Sequence, residues 1–254
     1  MPRLAFISDT HTHHGRLTTA IIEAKADILV HCGDFTANEP HKKMEEISSF
    51  AEWCEMLLRK SYVKHIVAIA GNHDEFFDAS CPETRRRDDP TISERCRDKL
   101  RKAGVVYLQD SGQIVCGLAF WGTPWTGRFY DWAFQIDSRQ QDADIFGSIP
   151  GRTQANVAID VLVTHGPPYG IRDHVRRGDF GERTEHSGSP ALLDALERVK
   201  PRICAFGHIH EGHGLTVMPN GVLCINAASA PGAPSKGATG RRSFNAPIVV
   251  DLER

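Results

Sequence analysis

Five short apolar runs in this chain each end in a cluster of Asp, Asn or His set among small residues, and that recurrence constrains the fold more than any other feature. The run at 4–7 stops at Ser8-Asp9-Thr10-His11, and the run at 27–30 at His31-Cys32-Gly33-Asp34. The run at 63–70 gives way to Gly71-Asn72-His73-Asp74, the run at 160–163 to Thr164-His165-Gly166, and the run at 203–206 to Gly207-His208-Ile209-His210. Short apolar runs bounded by such punctuation read as buried strands. Between the first three, Leu17, Ala20, Ile21 and Ala24 recur at helical spacing, as do Met44, Ile47, Phe50, Ala51, Cys54, Leu57 and Leu58. Pro40 suits the first turn of the second helix. A β-α-β-α-β order predicts parallel neighbours joined by right-handed crossovers. The carboxyl ends of such strands line one crevice, so clusters scattered from position 9 to position 210 should converge there. Asp9 and His11, like His208 and His210, are two apart and would face one side on extended backbone.

The grammar changes after residue 103. Residues 92–103 read as a helix stopped by Gly104, whereas 105–108, 113–116 and 118–121 read as short strands with tight turns, hence antiparallel additions. Residues 122–132 form an aromatic loop, Ser189-Pro190 opens a helix with Leu192, Leu193, Leu196 and Val199 inward, and 222–225 and 248–250 are closing strands. No repeat or linker interrupts the chain, so residues 1–254 read as one domain, long enough to bury a full core without staples. A formal net charge of −2 disfavours a surface that coats nucleic acid, and no stable nucleic-acid partner is expected. No run approaches the ~20 apolar residues that span a bilayer, so no membrane partner is expected either. The seven cysteines include no CxxC pair and several sit inside apolar runs, as small buried hydrophobes in a reducing compartment do. The first residues are too short in apolar length for a signal peptide, and the expected location is cytoplasmic.

Thirteen histidines are an unusual supply of side chains suited to metal binding and proton transfer. Asp, Asn and neutral His without thiolates make a mixed oxygen and nitrogen field that suits Mn, Fe, Co, Ni or Zn. Magnesium alone prefers mostly oxygens and several waters. If two ions sit about 3.5–4 Å apart, one carboxylate must bridge them. Asp34, alone at its strand end, is the best-placed bridge. The glycines at 33, 71, 166 and 207 let backbone and substrate come close.

The ordered blocks Asp9-x-His11, Gly33-Asp34, Gly71-Asn72-His73-Asp74, Thr164-His165 and Gly207-His208-x-His210 resemble the calcineurin-like metallophosphoesterase superfamily. Tyr107-Leu-Gln-Asp-Ser111, Gly122-Thr-Pro-Trp125, Thr164-His-Gly-Pro-Pro168, Phe206-Gly-His-Ile-His-Glu-Gly212 and Ile225-Asn-Ala-Ala-Ser229 are similar to its metallophosphoesterase-domain-containing branch. The resemblance implies an α/β fold, a four-layer α-β-β-α metallophosphatase sandwich with mixed sheets. It implies two divalent ions per chain, Mn first, with Fe, Zn, Co, Ni or Mg as alternatives. Asp9, His11, Asp34 and His210 would hold the first ion, and Asp34, Asn72, His165 and His208 the second. Asn72 and His73 would contact the phosphate, and His73 would protonate the leaving oxygen during in-line attack by a metal-bridging hydroxide. The implied substrate is a small phosphodiester of nucleotide or cyclic-nucleotide type. The alternatives are a broad phosphomonoesterase and a weakly catalytic nucleotide-binding sensor. Protein phosphatases of the superfamily continue Gly-Asp with x-x-Asp-Arg-Gly. Here the chain continues Phe35-Thr-Ala-Asn-Glu-Pro40, so the Asp behind the catalytic His and the phosphate-binding Arg are both missing. Some members of the branch carry Gly at the position of His208, whereas this ligand set is intact.

Other residues read more plainly. His13 and His14 are expected as exposed turn residues, and His31 as a hydrogen-bonded core histidine. His213 follows the last block, where it lines the cleft or packs beside it. The aromatic loop is either a lid whose rings stack on a nucleobase, with Trp125 as a substrate contact, or a satellite core beneath a long loop. Arg85-Arg-Arg87, followed by Asp88-Asp89, reads as a self-neutralising surface. Arg172, Arg176 and Arg177 either steer an anionic substrate or belong to a solvent-facing helix. Residues 232–242, rich in small side chains, are expected as a mobile loop.

Overall fold

The computed structural model describes residues 1–37, 39, 41–85, 89–152, 156–177, 183–231 and 243–253. Pro40, Arg86, Arg87 and the small-residue stretch 232–242 therefore lie outside the described residues, as do the side chains of Arg85, Arg176 and Arg177. The strands in chain order are β1 (Arg3–Ile7), β2 (Ile28–His31), β3 (His65–Ala68), β4 (Val105–Tyr107), β5 (Ser111–Val115), β6 (Leu118–Thr123), β7 (Thr126–Gly127) and β8 (Gln135–Ile136). They continue with β9 (Val161–Thr164), β10 (His174–Arg177), β11 (Arg183–His186), β12 (Ile203–Phe206), β13 (Gly214–Val217), β14 (Leu223–Asn226) and β15 (Ile248–Asp251). The helices are α1 (Thr18–Ala24), α2 (Lys43–Arg59), α3 (Pro82–Arg85), α4 (Ile92–Lys102), α5 (Arg139–Gly147) and α6 (Pro190–Val199).

Two mixed sheets carry the architecture among the described residues, ordered β15-β1-β2-β3-β4 and β13-β14-β12-β9-β6-β5. In the first, β1 to β4 run parallel and β15 is an antiparallel edge. In the second, β14, β12, β9 and β6 are parallel, with β13 and β5 as antiparallel edges. Three apolar cores show how the layers stack. Ala5, Ile7, Leu29 and Ile66 pack one face of the first sheet against Ile47, Phe50, Cys54 and Leu57 of α2 and Cys96 and Leu100 of α4. Leu4, Phe6, Val30 and Val67 on its other face meet Phe120, Val161, Val163 and Ile203 of the second sheet. Leu162, Cys204 and Phe206 then meet Phe146 of α5 and Leu192 and Leu196 of α6. Three interfaces make four layers, α-β-β-α. Strands covered on both faces must be apolar throughout, which is why the runs at β1, β2, β9 and β12 are nearly continuous.

Two expectations need correcting. β4 is not an antiparallel addition: it lies parallel to β3, because α4 intervenes and supplies the crossover. The antiparallel grammar begins only at β5–β6, where Cys116 (φ 51°) and Gly117 (φ 77°) form the left-handed two-residue turn that matches strand twist. His14 is not exposed. It is 4% accessible, wedged against Phe50 and Trp53, and burial lowers its pKa to about 4. The α6 start is as read: the Ser189 hydroxyl accepts from the Leu192 amide and Pro190 occupies the first turn. All seven cysteines are unpaired, and six of them are buried. No helix among the described residues is long and apolar enough to cross a membrane.

Candidate dinuclear active site

The carboxyl ends of β1, β2 and β3 in one sheet and β9 and β12 in the other meet at one edge of the sandwich. Ser8 bridges Ala228, and the Ser229 amide donates to the Ser8 carbonyl (2.8 Å), which locks the two sheets together there. The motif residues do not extend the strands. Asp9, His11, Asp34 and His208 have φ of 52°, 40°, 58° and 65°, in the left-handed region that non-glycine residues rarely visit. The Asp9/His11 and His208/His210 pairs therefore converge through sharp turns and not through the alternation of an extended strand. Backbone strain held by surrounding structure is typical of functional sites. Here the amides of Asp9 and His11 donate to the carbonyls of Gly33 (2.9 Å) and Asp34 (3.0 Å), so the first two loops support each other.

Two sets of candidate metal ligands result. In the first, Asp9, His11 and His210 bring donor atoms within 4.8 Å of one another; in the second, Asp34, His165 and His208 do the same. Asp34 also groups with His11 and His73, so it stands between the sets. His210 Nε2 lies 3.4 Å from Asp9 Oδ1, and His165 Nε2 lies 3.4 Å from Asp34 Oδ2 and 2.8 Å from Asn72 Oδ1. The outer nitrogens fix the tautomers: Nδ1 of His11 sits 3.1 Å from the Thr36 carbonyl, and Nδ1 of His165 sits 2.9 Å from that of Cys32. Each imidazole thus donates outward and turns Nε2 into the site, as metal-binding histidines do.

The residues fit divalent cations. Nε2 of His11 and Nε2 of His210 face each other at 3.4 Å, a contact that needs a proton or a cation between the lone pairs. Burial would raise the pKa of Asp9 and of Asp34, yet both are held low, Asp9 by the bond to His210 and Asp34 by the charge of His165. Burial would lower the pKa of His165, but Asp34 and Asp9 push it up to about 9, so a proton supplies positive charge that metal binding would displace. Burial lowers His208 to about 3, leaving a neutral ring. The Asn72 amide nitrogen is buried without a hydrogen-bond partner among the described residues. Glycine is required beside the ligands: a Cβ on Gly207 would lie 2.1 Å from Asp9 Oδ2, and one on Gly71 2.3 Å from Asp34 Oδ1. Gly166 instead abuts Thr126.

His73 stands over this floor with Nε2 3.8 Å from Asp34 Oδ2, and its amide donates to Asp34 Oδ1 (2.8 Å). Its Nδ1 is buried without a partner among the described residues, the structural counterpart of the missing Asp in the sequence. Burial lowers its pKa to about 4. Two supports were not legible as site residues. Asp74, fully buried, accepts from the amides of Asp34 (2.9 Å), Gly71 (2.8 Å) and Thr36 (2.9 Å), clamping the second and third loops; burial and the charge of Asp34 push its pKa up to about 7. Lys43, also buried, donates to the carbonyls of His73 (2.6 Å) and Ala37 and pairs with Glu75 (3.6 Å). Its signal was position: it lies one turn before the inward Ile47 on α2.

The floor opens into a cleft of about 530 Å³ lined by His11, Asp34, Asn72, His73, His208 and His210, with Arg128, Phe129 and Trp132 among its walls. The aromatic loop divides between its two readings. Trp125 does not line the cleft: it packs against the α-helical cores and its Nε1 donates to Asp110 (3.0 Å). Trp132 is the ring at the site, 4.1 Å from the His73 ring, with Phe129 at 5.3 Å beside it. Arg172 is not free to steer anions, because its guanidinium donates to Thr216 (3.0 Å) and the carbonyls of His213 (3.4 Å) and Leu215. The segment 174–177 is strand, not helix. His213 is half-buried beside Arg172 and is not among the lining residues. His31 is a core histidine, 3.0 Å from the Thr10 hydroxyl.

Two sets of metal-ligating side chains with Asp34 between them, at the strand ends of a four-layer sandwich, are the site of a metal-dependent phosphoesterase. The calcineurin-like phosphoesterase family model matches residues 2–212, and the chain belongs to that family and to its metallophosphoesterase-domain-containing branch. It is 32% identical to metallophosphoesterase domain-containing protein 1 of Homo sapiens, covering 98% of this chain and 71% of that protein. Among solved structures, a dimetal phosphatase from Danio rerio superposes with a TM-score of 0.51 at 12% identity, over 89% of this chain and 87% of that one. A Thermus thermophilus protein superposes at 0.59 and 9% identity, over 89% and 88%. These two likenesses carry the fold alone.

Proposed function

We propose that this metal-dependent phosphoesterase is a phosphodiesterase that hydrolyses small phosphodiesters of nucleotide or cyclic-nucleotide type, with two divalent ions, manganese first, held by the seven residues Asp9, His11, Asp34, Asn72, His165, His208 and His210. The observation that carries the reading is the placing of Asp34 between two ligand sets beneath a single cleft that has an aromatic wall. When bound, such ions lower the pKa of a water between them and stabilise the charge that builds on phosphorus in an in-line displacement. The chain's own residues do the rest. The His73 amide fixes one oxygen of Asp34 and leaves the other turned into the site. His73 Nε2, neighbouring that oxygen, is placed to hold a proton for the leaving oxygen once the anionic substrate beside it offsets the burial that keeps the free ring neutral. Trp132 limits the swing of the His73 ring and, with Phe129, offers faces on which a planar leaving group can stack.

Charge favours a diester over a monoester. Among the described lining residues Arg128 is the one guanidinium, and it is engaged by Asp131 (2.9 Å) and Asp137, so beyond the two ions no unengaged side-chain cation there waits for a second phosphate charge. The test is turnover by manganese-loaded protein on bis-p-nitrophenyl phosphate, p-nitrophenyl phosphate, and 2′,3′- and 3′,5′-cyclic nucleotides. Faster hydrolysis of the diesters supports the reading. A preference for the monoester would replace it with a broad phosphomonoesterase, and retention of nucleotide without turnover would replace it with a sensor.

A further inference from the structure

Outside the cleft, one other set of metal-ligating atoms converges among the described residues: Asp173, His174 and His186, all within 4.8 Å of one another. Asp173 is fully buried, and its Oδ2 accepts from the amides of Gly170 (2.9 Å) and Gly188 (3.0 Å), which fixes the plane of the carboxylate. Its other oxygen lies 2.8 Å from His186 Nδ1 and 4.0 Å from His174 Nδ1. The two histidines are directly opposed across the antiparallel pair β10–β11, their ring centroids 4.1 Å apart. Their side chains are 35% and 57% exposed, for His186 and His174, so an ion can reach them from solvent. Burial would raise the pKa of Asp173, but the His186 bond and the two amides lower it instead, so the carboxylate is available in its ligating form.

We propose that Asp173, His174 and His186 form a third divalent-metal site, separate from the cleft, of a two-imidazole, one-carboxylate kind that takes zinc, cobalt or nickel and leaves its remaining positions to water. Donors bound about 2.0–2.2 Å from one ion lie roughly 3–3.5 Å from each other, and the observed 2.8 and 4.0 Å bracket that spacing. Closing the longer gap needs only a small rotation of His174, the more exposed ring. The carboxylate is already oriented by the Gly170 and Gly188 amides, the support that holds a metal ligand in position. A histidine–aspartate hydrogen bond alone explains His186, but not the second imidazole, tilted 52° against it beside the same oxygen. The site sits at the base of a hairpin whose Val175, with Ser187 just beyond it, lines the cleft. An ion there would join both strands of that wall to the buried turn at Asp173.

The test is zinc bound per chain after exhaustive dialysis, measured on the full-length protein and on His174→Ala, His174→Ala/His186→Ala and His174→Cys. The double variant should hold one zinc fewer than wild type, and His174→Cys, which supplies a thiolate, should keep it. The difference between chains is the readout, so whatever the cleft takes up cancels and the result is independent of the proposed phosphodiesterase activity. Equal far-ultraviolet circular dichroism of the metal-free proteins checks that the variants fold. Equal zinc counts in the folded wild-type and double-variant chains would overturn the proposal.

Discussion

Gly207→Ala isolates the geometry of the first ligand set from its chemistry, since it changes no ligand. Gly207 is not in the left-handed region, so the backbone tolerates alanine and the effect is steric. The added methyl would lie 2.1 Å from both Asp9 Oδ2 and Ser8 Oγ, where ordinary contact begins near 3.4 Å. Neither neighbour can yield freely: Asp9 is fully buried and accepts from the His208 amide at 3.0–3.1 Å, and Ser8 lies in the seam between the sheets. A displacement of Asp9 by about 1 Å should lower metal-dependent turnover roughly 100-fold, the usual cost of misplacing a catalytic group by that distance. Overpacking should cost about 1–3 kcal/mol. At roughly 2–4 °C per kcal/mol for a chain of this size, the melting temperature should fall by about 2–12 °C. The assay is diester hydrolysis against manganese concentration, with Gly147→Ala as control, because a Cβ there meets nothing within 4 Å. Wild-type turnover and metal affinity in Gly207→Ala would refute the placing of Asp9 against that glycine.

Three further outcomes follow from other parts of the structure. His14 is buried with its pKa lowered to about 4, so unfolded chains bind its proton more readily; its contribution is complete above pH 6.5 and should fall by about 3 kcal/mol as pH drops from 6.5 to 4. Urea unfolding across that window should show a shallower pH slope in His14→Phe than in wild type, and an unchanged slope would contradict the burial argument. Lys43→Met leaves Glu75 buried without its cation and should destabilise by about 3–5 kcal/mol; adding Glu75→Gln should recover part of this, and a strictly additive loss would show that the two are not coupled. His73→Ala should slow esters with poor leaving groups far more than p-nitrophenyl esters, whereas equal losses on both would make His73 a positioning residue and not the proton donor.

The fold was legible wherever a strand is buried on both faces, because the apolar runs at β1, β2, β9 and β12 admit no other environment. It was less legible at β4, whose residues resemble those of the hairpin beyond and whose direction is set by the preceding helix. Residues 139–147 carry too weak an apolar stripe to announce α5; its clearest local sign is the Ser138 cap on the Gln141 amide. The seven candidate ligands were legible because each ends a strand, and the structure brings all of them to one edge. How they converge was not legible, since left-handed backbone at Asp9, His11, Asp34 and His208 leaves no trace in residue type. Nor was the choice of Trp132 over Trp125 at the cleft, which depends on where β7 and β8 direct an aromatic loop. Asp173 with its two histidines was not legible as a set, because His174 and His186 are twelve residues apart and meet only through hairpin register.

Asp34→Asn, with bound manganese and diester turnover measured on the same samples, decides whether one carboxylate serves two ions in a phosphoester-cleaving site. Both ions should bind weakly and turnover should be abolished, while Asp74 and the surrounding loops still fold. An Asp34→Asn protein that keeps both ions and hydrolyses the diester at near wild-type rate would contradict that role.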